Sequence, residues 1–240
     1  MSTVRLDADG KGGTVTVDRP ERYNALDSAT LSALENALAD AREEEVSALV
    51  LAGAGEDAFS VGADIRELAD ASVAEADAYV EHAQRVTRDL SAFPAPTIAA
   101  VNGYCLGGGW ELALNCDLRV AGERAVVGHT ELDLAVVPVW GGVRTLVRLV
   151  GDETARRLVF FAERLDAQDA YELGLVGDII AHDNVDDLAA QPTFALQAAK
   201  EAFEYAWRER RADVGFQRRL WGELFGTETQ REAMREFLDG

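Results

Sequence analysis

The chain has 240 residues, 48% hydrophobic and 28% charged, which is enough for one large domain or two small ones with a substantial buried core. Its 23 Lys and Arg against 43 Asp and Glu give a formal net charge of −20, which argues against nucleic acid or an anionic membrane surface as partner. No apolar run reaches the ~18 residues of a membrane span, and Met-Ser-Thr-Val-Arg-Leu-Asp lacks the apolar centre of a signal peptide, so a cytoplasmic location is expected.

Residues 14–18 alternate in strand fashion and stop at Arg19-Pro20. Asp27 or Ser28 can cap a helix to about Glu44, with Leu31, Leu34 and Leu38 on one face. Residues 46–51 read as a buried strand, and Gly53-Ala54-Gly55 turns the chain. Residues 58–64 then lead into a helical pattern from about Ile65. A long helix is expected over 73–92, broken by Phe93-Pro94-Ala95-Pro96. Residues 97–101 read as another buried strand, followed by Asn102-Gly103, three glycines at 107–109 and a helix to about Asn115. Residues 117–121 and 125–128 read as short strands, and Glu131 falls in the loop after them. Residues 142–149, 152–161 and 168–173 read as helices, the last ended by Gly174. The tail over 192–238 reads as mostly helical and rich in Arg and Glu. The early elements recur as strand, strand, helix without a repeat of fixed period. The one candidate boundary, 182–192, divides an α/β core over 1–181 from a helical region over 182–240.

Three segments carry chemistry. In the first, the glycines at 107–109 open a helix. Glycine has no Cβ to keep another molecule from the backbone, and the first helical turn offers unpaired N–H groups with partial positive charge. This is an anion site in outline. The triplet lacks the Lys-Ser/Thr of a P-loop and the spacing of G-x-G-x-x-G, and by itself it also fits plain strand–helix packing. Glu111 follows among Trp110, Leu112, Ala113 and Leu114. Either it is a surface charge at a helix start, or its apolar neighbours desolvate it, raise its pKa and suit it to acid–base work. In the second segment, Phe-Ser-Val-Gly-Ala-Asp at 59–64, another glycine precedes a helix start and Ala63 can expose a second N–H. Two N–H groups aimed at one point form an oxyanion hole. The third segment is His129-Thr130-Glu131, where Glu131 alone would pass for a surface acid. Cys105 and Cys116 match no metal or redox spacing and read as buried thiols. The histidines at 82, 129 and 182 form no ligand cluster, so no metal is expected.

With these segments in order, the chain resembles the crotonase, or enoyl-CoA hydratase/isomerase, superfamily. The resemblance rests on R-P-E-R-Y-N-A-L (19–26), A-F-S-V-G-A-D-I (58–65), P-T-I-A-A-V-N-G-Y-C-L-G-G-G-W-E-L-A-L-N-C-D (96–117), H-T-E-L (129–132) and A-Q-D-A-Y-E-L-G-L-V (167–176). It implies an α/β spiral of ββα repeats followed by a C-terminal helical trimerisation region, in a homotrimer or homohexamer. It implies an acyl-CoA thioester substrate, with no cofactor beyond that coenzyme A. The family's oxyanion-hole N–H groups fall on Ala63 and Gly108, and its two catalytic glutamates on Glu111 and Glu131. The implied reaction is syn addition of water to a 2-enoyl-CoA, with Glu111 activating the water and Glu131 protonating the α-carbon. The alternatives are an isomerase, a dehydratase or another CoA-thioester lyase on the same site, or a non-catalytic acyl-CoA binding protein. The resemblance makes Arg22, Ala25, Ser60, Gly62, Asp64, Ile65 and Gly107 candidates for substrate and CoA binding, with Trp140 near the acyl pocket.

The chain departs from the family in four places. His129-Thr130-Glu131 stands where many members have Q-P-E, and His129 is read as a loop histidine with a backbone partner rather than a group tuning Glu131. Pro138-Val139-Trp140-Gly141-Gly142 stands where many have P-G-A-G-G, so Trp140 either selects short or unusual acyl groups or only packs. Residues 182–192 look shorter than usual, and the C-terminus lacks a basic extension. Composition adds a separate expectation: Lys11 and Lys200 are the only lysines, and the acids are dispersed, as in a protein from a salt-rich cytoplasm, so activity is expected to need high salt.

Overall fold

Two sheets carry the fold, and the chain visits them alternately. In the computed structural model, which describes residues 2–9, 11–179, 197, 200 and 228–239, the strands are β1 (Val4–Asp9), β2 (Gly12–Val17), β3 (Ala48–Gly53), β4 (Ala58–Ser60), β5 (Thr97–Val101), β6 (Tyr104–Leu106), β7 (Leu118–Ala121), β8 (Val126–Gly128), β9 (Leu165–Asp166) and β10 (Asp178–Ile179). The larger sheet has the order β1-β2-β3-β5-β7-β10 and the smaller β4-β6-β8-β9. Each of β3–β4, β5–β6 and β7–β8 contributes one strand to each sheet and is followed by helix or a helical turn. This is the strand, strand, helix recurrence in three dimensions. Within each sheet the corresponding strands run parallel, which requires the long crossovers that the helices supply.

The helices are α1 (Ser28–Glu43), α2 (Ile65–Leu68), α3 (Val73–Ser91), α4 (Gly108–Leu114), α5 (Gly142–Val150), α6 (Asp152–Phe160), α7 (Ala167–Glu172) and α8 (Glu228–Asp239). Their starts follow local chemistry. The Asp27 side chain accepts the Thr30 N–H at 2.8 Å to cap α1, and Ser72 with Glu75 forms a capping box at α3. Leu31, Leu34, Leu38 and Ala41 of α1 and Ala76, Val80, Ala83, Val86 and Leu90 of α3 recur every three or four residues and are buried in one core with β2, β3 and β5.

Several elements differ from the sequence expectation. β1 pairs antiparallel with β2, and its alternation of Val4, Leu6 and Ala8 with Arg5, Asp7 and Asp9 is too acidic to stand out. β3 begins at Ala48 rather than Val46. β6, β9 and β10 have two or three residues each and show no period of their own. Glu131 lies not in an irregular loop but at the head of a 3-10 turn, Glu131–Leu134. The α/β fold stands as expected. The candidate boundary at 182–192, most of the helical tail and any trimerisation surface built from it lie outside the described residues.

Candidate active site

The smaller sheet determines where the three chemical segments meet. β4, β6 and β8 are adjacent and parallel, so their C-terminal ends line one edge. β4 delivers Val61-Gly62-Ala63, β6 delivers Gly107-Gly108, and β8 delivers His129-Thr130-Glu131. Neighbouring strands are about 4.8 Å apart, so segments distant in sequence are brought to within side-chain reach. The carboxyl ends of parallel strands are the usual place for a ligand crevice, because the chain there turns out of the sheet into loops and helix starts. A cleft of about 590 Å³ opens at this edge.

The glycine triplet is explained position by position. Gly107 has φ 53 and ψ −128, a conformation that a side chain strongly disfavours. A Cβ on Gly108 would stand 2.6 Å from the Trp140 indole, and one on Gly109 would stand 2.2 Å from the Ser60 carbonyl oxygen. The triplet therefore lets β4, α4 and the Trp140 loop close on one another. The parallel bridge between Leu26 and Ala63 uses the Gly62 carbonyl, which accepts from Leu26 N–H at 2.8 Å, and the Asp64 N–H, which donates to Leu26 O at 3.0 Å. The Ala63 N–H thus faces the other way. Gly108 begins α4 and has no carbonyl one turn back. Among the described residues, neither the Ala63 nor the Gly108 N–H has an acceptor, and both residues line the cleft.

Glu111 lies one turn into α4 and is 1% exposed. Its Oε2 accepts the N–H groups of Val139 at 3.0 Å and Trp140 at 2.9 Å, and its Oε1 accepts that of Gly142 at 2.9 Å. α3 holds this loop in turn, with Gln84 Nε2 donating to Val139 O at 2.7 Å and Thr87 Oγ1 to Trp140 O at 2.9 Å. Burial, and then the Glu131 charge, push the Glu111 carboxyl up to about 7, while His129 and the Trp140 and Gly142 N–H groups pull the other way. The desolvated Glu111 read from its apolar neighbours is thus the one present, and the surface-charge alternative is excluded.

Glu131 is also buried and faces the cleft, and its Oε2 has no hydrogen-bond partner among the described residues. A buried carboxylate oxygen without a partner, on a residue that lines a cleft, is a place for a substrate group or a water. His129 is buried behind it, with Nδ1 3.5 Å from Glu131 Oε1 and no partner for Nε2 among the described residues. The expected backbone partner of His129 is replaced by this carboxylate. Burial alone would lower the imidazole pKa, but Glu131, and then Glu111, hold it above its ordinary value.

The other candidates divide. Arg22, Ala25, Asp64, Ile65, Gly107 and Trp140 line the cleft. Ser60 and Gly62 do not, and they build its wall instead: Ser60 Oγ donates to Asn24 O at 2.8 Å and accepts the Gly62 N–H at 3.1 Å. Asp64 is committed to structure as well, ion-paired with Arg19 at 3.1 Å and capping α2 through the Arg66 N–H at 3.3 Å. Sequence reasoning passed over Asn24, whose positive φ of 55 and buried amide donating to Ala58 O at 2.7 Å seat the 19–26 loop against β4. It also passed over Met234 and Leu238, by which α8 covers the cleft. The apolar pairs Ala233-Met234 and Phe237-Leu238, four positions apart in an otherwise polar helix, are the signal that could have found them.

The chain is similar to known proteins over nearly its whole length. The profile of the enoyl-CoA hydratase/isomerase family matches residues 12–239. The chain is 34% identical to the short-chain-enoyl-CoA hydratase of Clostridium acetobutylicum, over 100% of this chain and 95% of that one. It is 32% identical to the crotonyl-CoA hydratase of Syntrophomonas wolfei, over 98% of this chain and 95% of that one. Its backbone matches the crystal structure of an enoyl-CoA hydratase from Bacillus anthracis with a TM-score of 0.82 and 31% identity, covering 99% of this chain and 96% of that one. With these likenesses over nearly its whole length, the chain belongs to the enoyl-CoA hydratase/isomerase family.

Proposed function

We infer that this protein is an enoyl-CoA hydratase that adds water to the double bond of a 2-enoyl-CoA thioester. The observation that carries this reading is the pair Glu111 and Glu131, both buried and both open to one cleft beside the Ala63 and Gly108 N–H groups. The thioester oxygen binds between those two N–H groups, which take up the enolate charge as it forms. One such donor is worth about 3–4 kcal/mol of transition-state stabilisation. Glu111, held as an acceptor by three backbone N–H groups, takes a proton from water as the oxygen bonds to the β-carbon. The two carboxyls share one proton, and in the reactive state Glu131 carries it and delivers it to the α-carbon. The proton gained by Glu111 and that lost by Glu131 balance, so the site is restored by transfer between them. Arg22 at the exposed mouth is a contact for the anionic end of coenzyme A, and the carrier lies along Ala25 and Ile65. No group beyond the substrate's coenzyme A is needed for these steps.

The protein works in a cytoplasm, as a homotrimer or homohexamer. Exposed Phe160 and Phe161 at the end of α6 support self-association, and a monomer mass by sedimentation at high salt would remove it. Incubation with crotonyl-CoA in deuterium oxide tests the reaction itself. The expected product carries the added elements of water and one deuterium at the α-carbon. A product with no added water and a shifted double bond would replace hydratase with isomerase.

A further inference from the structure

We propose that the Trp140 indole is the wall that limits the acyl chain, so that the enzyme takes short enoyl groups and rejects long ones. The inference rests on the hydratase reading and adds its substrate class. Trp140 touches both ends of the reacting unit. Its backbone N–H donates to Glu111 Oε2 at 2.9 Å, beside the place where the β-carbon is hydrated. Its six-membered ring lies 2.6 to 2.9 Å from the position of a Cβ on Gly108, beside the N–H that holds the carbonyl. The three carbons from carbonyl to β-carbon therefore lie within reach of one side chain, and the carbons that follow have to pass it.

The indole is also fixed. It is 4% exposed although it lines the cleft, and the Tyr79 ring packs on it with centroids 6.1 Å apart. Tyr79 does not line the cleft, so Trp140 stands between the cleft and α3. Tyr79 is itself tied down, donating from its hydroxyl to Leu26 O at 2.6 Å. The Trp140 carbonyl is held by Thr87 Oγ1 at 2.9 Å, which fixes the backbone that carries the ring, while Tyr79 packs on the ring itself. Around it, Val136, Val139 and Met234 are buried and apolar, as the methyl end of a short chain requires. Each added methylene that meets a fixed wall costs on the order of tenfold in specificity.

The test is kcat/KM for trans-2-enoyl-CoA substrates of rising chain length, from crotonyl to decenoyl, with wild type, Trp140→Phe and Trp140→Ala. The wild type is expected to fall steeply with length. Both variants should raise the octenoyl-to-crotonyl ratio, by about tenfold or more in Trp140→Ala. Trp140→Phe keeps most of the packing and covers the case in which the alanine variant fails to fold. A flat wild-type profile, or an unmoved ratio in whichever variants fold, would overturn the proposal. Calorimetric titration with butanoyl-CoA and octanoyl-CoA, which lack the double bond, reads the same wall without the chemistry. Preference for butanoyl-CoA that is lost in the variants, with no hydration by any of the proteins, would sink the hydratase reading and keep the wall. Equal binding of both thioesters by wild type would sink the wall.

Discussion

At the scale of single residues, the proposed chemistry depends on what burial does to Glu111. Its carboxyl is raised from 4.5 to about 7. A base must be unprotonated, so hydration should fall as pH drops below about 7, and a kcat/KM profile that stays flat through that range would contradict the role. The same shift is a stability statement. A carboxyl that holds its proton more tightly when folded favours the native state at low pH and costs stability as pH rises through its folded value. From 4.5 to 7 this amounts to about 3 kcal/mol. Denaturant unfolding should therefore show the difference between Glu111→Gln and wild type moving by about 3 kcal/mol in favour of the variant as pH rises from below 4.5 to above 7. No movement would mean that folding leaves the Glu111 carboxyl at its ordinary pKa.

At the scale of elements, the site is a consequence of three parallel strands ending at one edge. Much of this was legible. The buried strand before the glycines, the capped helices α1 and α3, and the placing of Ala63, Gly108 and Glu111 on turns or helix starts all follow from local pattern. What the pattern could not supply was pairing. β6 has three residues and β9 has two, too few for a period, and they exist because their neighbours offer unpaired backbone groups. Ser60 and Gly62 sit in a recognised motif but face the wall, since side-chain direction at a strand end depends on a register that no single segment encodes. The burial of His129 against Glu131 likewise depends on the packing of β8 against β9. The C-terminal helix α8 is the least legible piece, because its role is to cover a cleft built by residues some hundred positions earlier. Met234→Asp would place a charge at a fully buried position, and its KM should rise about tenfold or more with the α/β core still folded by circular dichroism. An unchanged KM would show that α8 does not close on the substrate.

For the molecule as a whole, the dominant fact is the formal charge of −20. An acyl-CoA is itself a polyanion, so encounter at low ionic strength is opposed, while at 1 M salt the Debye length of about 3 Å removes most of the repulsion. We expect kcat/KM to climb steeply with KCl up to molar concentrations, mainly through KM. Full activity in dilute buffer would contradict the salt dependence expected from this composition. With two lysines in the chain, the cations that offset this charge are almost all arginines. Lys200 is an exception with a structural use: its buried ammonium donates to Asp117 at 2.7 Å and to Ala95 O at 3.0 Å, tying this part of the C-terminal region to the core.

The most direct test of the account is the loss of ultraviolet absorbance of the conjugated thioester on crotonyl-CoA in about 2 M KCl, where screening acts within a few ångströms. Wild type is compared there with Glu111→Gln and Glu131→Gln. The account predicts rapid loss with wild type and a fall of at least about 10²-fold in kcat for each variant, the scale of a lost general acid or base. Wild-type rates in either variant would contradict the assignment of hydration to these two carboxylates.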